Sequence, residues 1–206
     1  MMKDMNLNQI RMDALREISS IATGQAATSL STMISRKVDI AIPNVLIEPL
    51  KGIPDFFGGQ EKDMTAIYFS VTGQISGSFL FVLSPSDTLR LATLLCGQEA
   101  DKIESISEMG ISALKELGNI ITGSYVRVLA HELKIKMTYT VPGFAYDMVG
   151  AILDNILAQL SLKSDNAIIL ESEMTIRKEL FQGHLILIMA PKAINTIIRA
   201  LGIWNK

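Results

Sequence analysis

Asp13-Ala-Leu-Arg-Glu17-Ile-Ser-Ser20 and Ser112-Ala-Leu-Lys-Glu116-Leu-Gly-Asn119 are two copies of one segment, 99 residues apart, and their pairing decides the fold. Each copy is followed, after a gap of 22 residues, by a proline, Pro43 or Pro142. Aligned without a gap, residues 13–43 and 112–142 agree at nine positions, among them Glu17/Glu116, Thr23/Thr122, Gly24/Gly123 and the two prolines. Helix formers recur by chance, but a Glu, a Thr-Gly and a Pro held at fixed spacing are harder to dismiss. An internal repeat implies two copies of one supersecondary unit packed about a pseudo-twofold axis. It also implies a polar constellation built twice and altered once, because Ser20 stands where the other copy has Asn119.

Around these segments, residues 8–34 read as one long helix. Asn8 serves as its N-cap, no Pro interrupts it, and Leu15, Ile18, Ile21, Ala22, Leu30 and Ile34 lie on a broad apolar surface. Residues 106–133 repeat the pattern, opened by a capping-box spacing between Ser105 and Glu108. Each helix would run about 40 Å at 1.5 Å per residue. Lys37–Ile42 and Lys136–Val141 then alternate apolar and polar residues as half-buried strands and stop at the prolines. Next the halves diverge. Residues 44–64, with Pro49, Pro54 and Phe56-Phe57-Gly58-Gly59, suit a loop or short helical turn, whereas residues 146–161 have helical periodicity.

The halves converge again at their ends. Gly77–Pro85 matches Gly183–Pro191 in pattern, and each is a strand preceded by another, Ala66–Gln74 or Ala167–Arg177. A short helix follows in each half, ending at Gly97 or Gly202. Short connections between neighbouring strands favour hairpins. The expected class is therefore α+β, with a mostly antiparallel sheet and the two long helices packed on it. One domain over residues 1–206 would hold two tandem helix–strand–variable segment–strand–strand–helix repeats, about 8–98 and 105–203.

The composition excludes several function classes. A net charge of −2 leaves no basic stripe to neutralise phosphates, which argues against a nucleic-acid partner. No uninterrupted apolar run approaches the roughly 18 residues of a membrane span. Phe79–Leu83 and Leu185–Ala190 have the length of buried strands instead. Met1–Asn6 lacks the apolar core of a signal peptide, and the lone Cys96 cannot build a disulfide framework. A soluble cytoplasmic protein is the expectation.

Spacings of four and then three place Ser112, Glu116 and Asn119 on one helix face, with Gly123 one turn further on; Asp13, Glu17, Ser20 and Gly24 do the same in the first copy. Any amphipathic helix has such a polar face. The duplication favours a built surface, since it keeps the carboxylate and a Gly that costs about 1 kcal/mol in a helix interior. A Gly on that face would permit close approach of another surface. No His adjoins the stripe, His131 and His184 read as structural, and one carboxylate with one amide per half gives too few ligands for a metal. An Asn amide both donates and accepts hydrogen bonds and so holds water well, while a Glu beside it can pair with a partner's cation.

The pattern [Asp/Ser]-x3-Glu-x2-Asn-x22-Pro resembles the signature of the CheC/FliY/CheX family of chemotaxis response-regulator phosphatases. Glu116-Leu-Gly-Asn119-Ile, Thr122-Gly-Ser-Tyr125, Asp55-Phe-Phe-Gly-Gly59 and Asp147-Met148 resemble the stand-alone CheC branch, and the resemblance covers nearly the whole chain. It implies hydrolysis of the aspartyl phosphate of the response regulator CheY. Glu116 would anchor a Lys of the regulator and Asn119 would orient water for in-line attack. Glu17 and Ser20 would form a second, degenerate site, since a Ser hydroxyl is shorter than an amide. Asp13, Ser112, Gly24 and Gly123 would flank the docking surface. No cofactor is implied for this chain, because the Mg2+ belongs to the regulator. The resemblance further implies binding of the receptor deamidase CheD through Phe144–Leu157, with Asp147 and Met148, a segment read as present in the second half only; the alternative is a short packing helix. A monomer is expected. The competing function is a non-catalytic adaptor for the regulator and CheD.

Overall fold

A computed structural model describes residues 2–97, 105–160 and 166–189. The first repeat runs α1 (Met2–Met33), β1 (Val38–Ala41), β2 (Val45–Pro49), a 3-10 turn and α2 (Ile53–Phe56), β3 (Asp63–Gly73), β4 (Gly77–Leu83) and α3 (Pro85–Leu95). The second runs α4 (Glu108–Leu133), β5 (Met137–Tyr139), β6 (Gly143–Met148), α5 (Val149–Leu160), β7 (Asn166–Ile176) and β8 (Glu179–Met189). The class is α+β, and every strand pair is antiparallel.

The sheet order is β1-β7-β8-β4-β3-β5, with β2 also on β7 and β6 also on β3. The halves therefore exchange their edges. The strand after each long helix pairs with the hairpin of the other half. The registers repeat the symmetry: Val45 faces Leu170 while Phe144 faces Ile67, and Ile40 faces Met174 while Tyr139 faces Val71. Both helices also stop alike, at a residue in the left-handed region with φ 52°, Ser35 in one half and Lys134 in the other.

Strand side chains alternate between faces, and two buried clusters follow that period of two. Ile67, Phe69, Val71, Phe79, Phe81, Leu170 and Leu185 pack with Ala22, Leu30, Leu114, Leu117 and Leu129 of the long helices. Met64, Ala66, Leu80, Val82, Ile169 and Ile186 pack on the opposite face with Ile53 of α2 and Val149, Ile152 and Ile156 of α5. The central strand β4 is buried on both faces, which is why it reads as an unbroken apolar run.

Several boundaries differ from the sequence expectation. α1 begins at Met2, so Asn8 falls inside it rather than capping it. The cap of α4 is Ser107, whose Oγ accepts from the Gly110 N–H at 3.1 Å, not Ser105. Residues 45–49 form an edge strand rather than a loop; Pro49 is tolerated as its last residue, where a missing N–H costs nothing. Asp147 and Met148 end β6 instead of opening a helix, because ladder pairing to Met64 and Asp63 holds them extended. β6 also has β2 as its counterpart, so Phe144–Leu157 is not wholly unique to the second half; only its helix is longer than the turn at 50–56. The Gly77–Pro85 and Gly183–Pro191 match agrees with the central ladder, where Gly77 pairs with Met189 and Gly183 with Leu83, the same pairing read from either half. The helix expected to end at Gly202 lies outside the described residues.

His184 meets Phe56 and Phe57 edge-on at 5.2 and 5.1 Å, and burial pushes its pKa below the ordinary histidine value, partly offset by Glu171. His131 sits in the last turn of α4.

The exchanged edges make each half depend on the other for its ladder. A fragment ending at residue 97 leaves β1 and β2 without β7, and β4 without β8. Such a fragment is expected to show no cooperative thermal transition as a monomer by circular dichroism and size exclusion. A cooperative monomeric transition would refute this coupling.

Candidate functional site

Two helices carry the candidate residues. On α4 at 100° per residue, Ser112, Glu116, Asn119 and Gly123 fall within about 60° of arc, and Glu116 and Asn119 are about 4.5 Å apart along the axis. Ser112 and Glu116 are exposed, and Asn119 is half-buried. The underside of α4 buries Leu114, Leu117, Ile121 and Tyr125, and Gly118 lets the helix lie on the sheet: a Cβ there would come 2.7 Å from Cγ2 of Ile67. The helix therefore has a fixed support beneath the polar stripe.

On α1, Asp13, Glu17, Ser20 and Gly24 are all exposed, with Asp13 paired to Arg16 at 3.1 Å. The two stripes end differently. From Ile121 to Val126 every residue of α4 is buried, so its open face is interrupted just beyond Asn119 and resumes only at Arg127. The open face of α1 continues through Gln25, Thr28 and Thr32.

The glycines mark this difference and correct one expectation. Gly24 is open, with no atom within 4 Å of where a Cβ would stand. Gly123 is buried, and its Cβ would lie 2.5 Å from Oη of Tyr139. Gly123 thus admits a side chain of its own protein, not a partner's surface. Sequence reasoning assigns Tyr139 only to a strand. The signal was the repeat itself, which sets Tyr139 against Ile40 and Gly123 against Gly24.

Between the helices Tyr125 is fully enclosed beside a small cavity lined by Thr23, Ala26, Ile40 and Ser172. Burial raises its pKa well above the ordinary phenol value, and the neighbouring Ser19 side chain offsets this only in part. Among the described residues no group of three or more His, Cys, Asp or Glu is placed to hold a metal ion. No described helix is long and apolar enough to cross a membrane.

Asp147 and Met148 lie on neither stripe. They end the edge strand β6, both exposed, where the Met148 N–H donates to Oδ1 of Asp147 at 2.8 Å. Tyr146 and Met148, 55% and 45% exposed, make this strand end apolar.

The CheC-like family model matches residues 10–47 and 109–146, two segments again 99 residues apart and each containing one stripe. The chain is 31% identical over 170 residues to the CheY-P phosphatase CheC of Bacillus subtilis, covering 82% of this chain and 81% of that protein. It is 33% identical to the flagellar motor switch phosphatase FliY of the same organism over 66% of this chain, but spans only 36% of that relative. The crystal structure of Thermotoga maritima FliY shares the fold with a TM-score of 0.75 at 21% identity, covering 93% of this chain and 96% of that one.

The contrast between the glycines has a measurable consequence. Gly24→Ala fills open space in a helix interior and should raise stability by about 1 kcal/mol. Gly123→Ala meets Tyr139 and should bring no gain. Urea midpoints of the two variants against wild type check this, and equal gains at both positions would contradict the packing described.

Proposed function

The chain belongs to the CheC-like family, and from that premise we propose that it is a phosphatase that hydrolyses the aspartyl phosphate of a CheY-type chemotaxis response regulator in the cytoplasm. The observation that carries the reading is the pair on α4, an exposed Glu116 with a half-buried Asn119 one turn on, held by a helix whose other side is packed on the sheet. Neither residue is a strong nucleophile, so the chemistry they suit is positioning.

Glu116 anchors a cation of the regulator beside its phosphorylated Asp. Asn119 holds a water through its amide, which both donates and accepts. The water oxygen attacks phosphorus in line, and the P–O bond to the aspartyl carboxylate breaks. That carboxylate leaves as the anion, and the water's proton ends on inorganic phosphate or in solvent, because an amide cannot take it. Phosphoryl transfer is governed by such positioning and by charge stabilisation. The scheme asks this chain for no metal; the Mg2+ is the regulator's. On α1, Glu17 docks a second regulator, but the Ser20 hydroxyl stops short of the attacking water. The chain acts as a monomer whose halves stand in for two subunits.

Asn119 separates this reading from a non-catalytic adaptor, since docking alone needs no amide there. Asn119→Ala should slow dephosphorylation of the phosphorylated regulator by about 10²-fold or more, the scale of a lost transition-state donor, with an unchanged melting temperature. Decay of radiolabelled regulator with and without each variant measures it. Near-wild-type turnover by the variant would end the mechanism.

The receptor deamidase CheD is the proposed second partner, on the surface of Tyr146, Asp147 and Met148. The exposure of two large apolar side chains beside a carboxylate at a strand end supports it. Asp147→Lys should abolish deamidase capture in a pull-down while regulator dephosphorylation stays within about twofold of wild type, as for a surface change away from the stripes. Undiminished capture would leave β6 as packing alone.

A further inference from the structure

We infer that Tyr139 is a positioning residue for Asn119, its hydroxyl standing on α4 where a Cβ of Gly123 would, one turn beyond Asn119 on the same face, and limiting where the amide can point. The inference rests on the phosphatase reading and extends it. Side chains of a helix lean toward its N-terminus, so the place a residue at 123 would cover lies over the preceding turn, the turn of Asn119 and Ile120. At Gly123 that place is taken by Tyr139, whose Oη and Cζ lie 2.5 and 3.4 Å from where a Cβ would stand. The ring is held from behind by Phe69, edge-on at 5.9 Å, and its backbone by the ladder to Val71. A phenol hydroxyl and an Asn amide each donate and accept, so the two are matched in chemistry.

The first half shows what the arrangement lacks when the amide is absent. Ile40 replaces Tyr139, the register puts Ser172 where Phe69 would be, and Gly24 is left with nothing over it. Ser20 replaces Asn119 in the same half. The Asn, the Tyr and the ring behind it thus differ together between the repeats, although only the glycine is shared. A Tyr that merely covered a backbone gap would have no reason to follow the amide.

The test uses the full chain and the phosphorylated regulator, with initial rates across regulator concentration. Tyr139→Phe removes only the hydroxyl and should lower kcat about tenfold at a KM within about twofold of wild type, as expected for a misplaced catalytic group. Gly123→Ala, which displaces the hydroxyl from the helix side, should give the same kcat loss. In an Asn119→Ala background Tyr139→Phe should have no further effect, because a residue acting through another adds nothing once that other is gone. Melting temperatures report whether each variant is folded. A Tyr139→Phe kcat within twofold of wild type overturns the inference, as does a full further loss in the Asn119→Ala background. A wild-type chain that leaves regulator decay unchanged overturns the phosphatase reading and this inference with it.

Discussion

The exchange of edge strands between the halves is the constraint on which the rest depends. β1 and β2 have their hydrogen-bond partners on β7, and β5 and β6 have theirs on β3, so neither hairpin is complete without the other half's chain. An unpaired edge is both a loss of ladder bonds and an aggregation site, which makes the exchange self-enforcing. It also orients the long helices. Each runs directly into its edge strand through a left-handed stop at Ser35 or Lys134, so the ladder register sets where the helix lies over the sheet. A one-residue slip would turn every strand side chain to the other face, and the two apolar clusters exclude it. The stripes face outward because the register leaves them no alternative.

What was legible in the sequence is what local chemistry determines. The helices announced themselves by apolar period and by the absence of Pro, and β4 and β8 by runs apolar on both faces. The features that escaped depend on contacts distant in sequence. Val45-Leu-Ile-Glu-Pro49 is too short, and too close to two prolines, to read as a strand; it becomes one because β7 presents Asn166–Leu170 to it. Tyr146-Asp147-Met148 carries a helical spacing, yet β3 holds it extended. Ser105 has the capping-box partner Glu108 on paper, but the geometry selects Ser107. At the stripes, Glu116 and Asn119 were legible from the repeat because spacing alone puts them on one face. The burial of Gly123 was not, because the side chain that covers it comes from another element.

Gly24 and Gly123 show how one residue can be kept for different ends. At 123 the absent Cβ is a packing requirement, filled by Tyr139. At 24 it is a cost in helix propensity with no contact to set against it. Position 24 thus keeps open space where position 123 holds an overlying side chain of its own protein. The duplicated scaffold conserves backbone geometry on both sides while the side-chain chemistry over it has separated.

That separation also shows at four matched positions around the stripes. Matched by the repeat and by the ladder registers, Ala26 stands against Tyr125, Ser172 against Phe69, Ile40 against Tyr139 and Ser20 against Asn119. In each pair the larger side chain belongs to the α4 surroundings. There Phe79 leans on Tyr125 at 6.1 Å and Phe69 on Tyr139 at 5.9 Å, so the aromatic mass lies beneath the helix that carries the amide. Rings with two side-chain torsions fill volume with little rotamer freedom to lose, which makes a stiff support. α1 rests instead on Ala22 and Ala26, small residues that let the chains approach without bracing a particular side chain. Catalysis by positioning needs the amide held to a fraction of an ångström, whereas docking a carboxylate on a cation tolerates more. The asymmetry of the core thus runs in the same sense as the asymmetry of the stripes, as the proposed division between a water aimed by Asn119 and a cation docked on Glu17 requires.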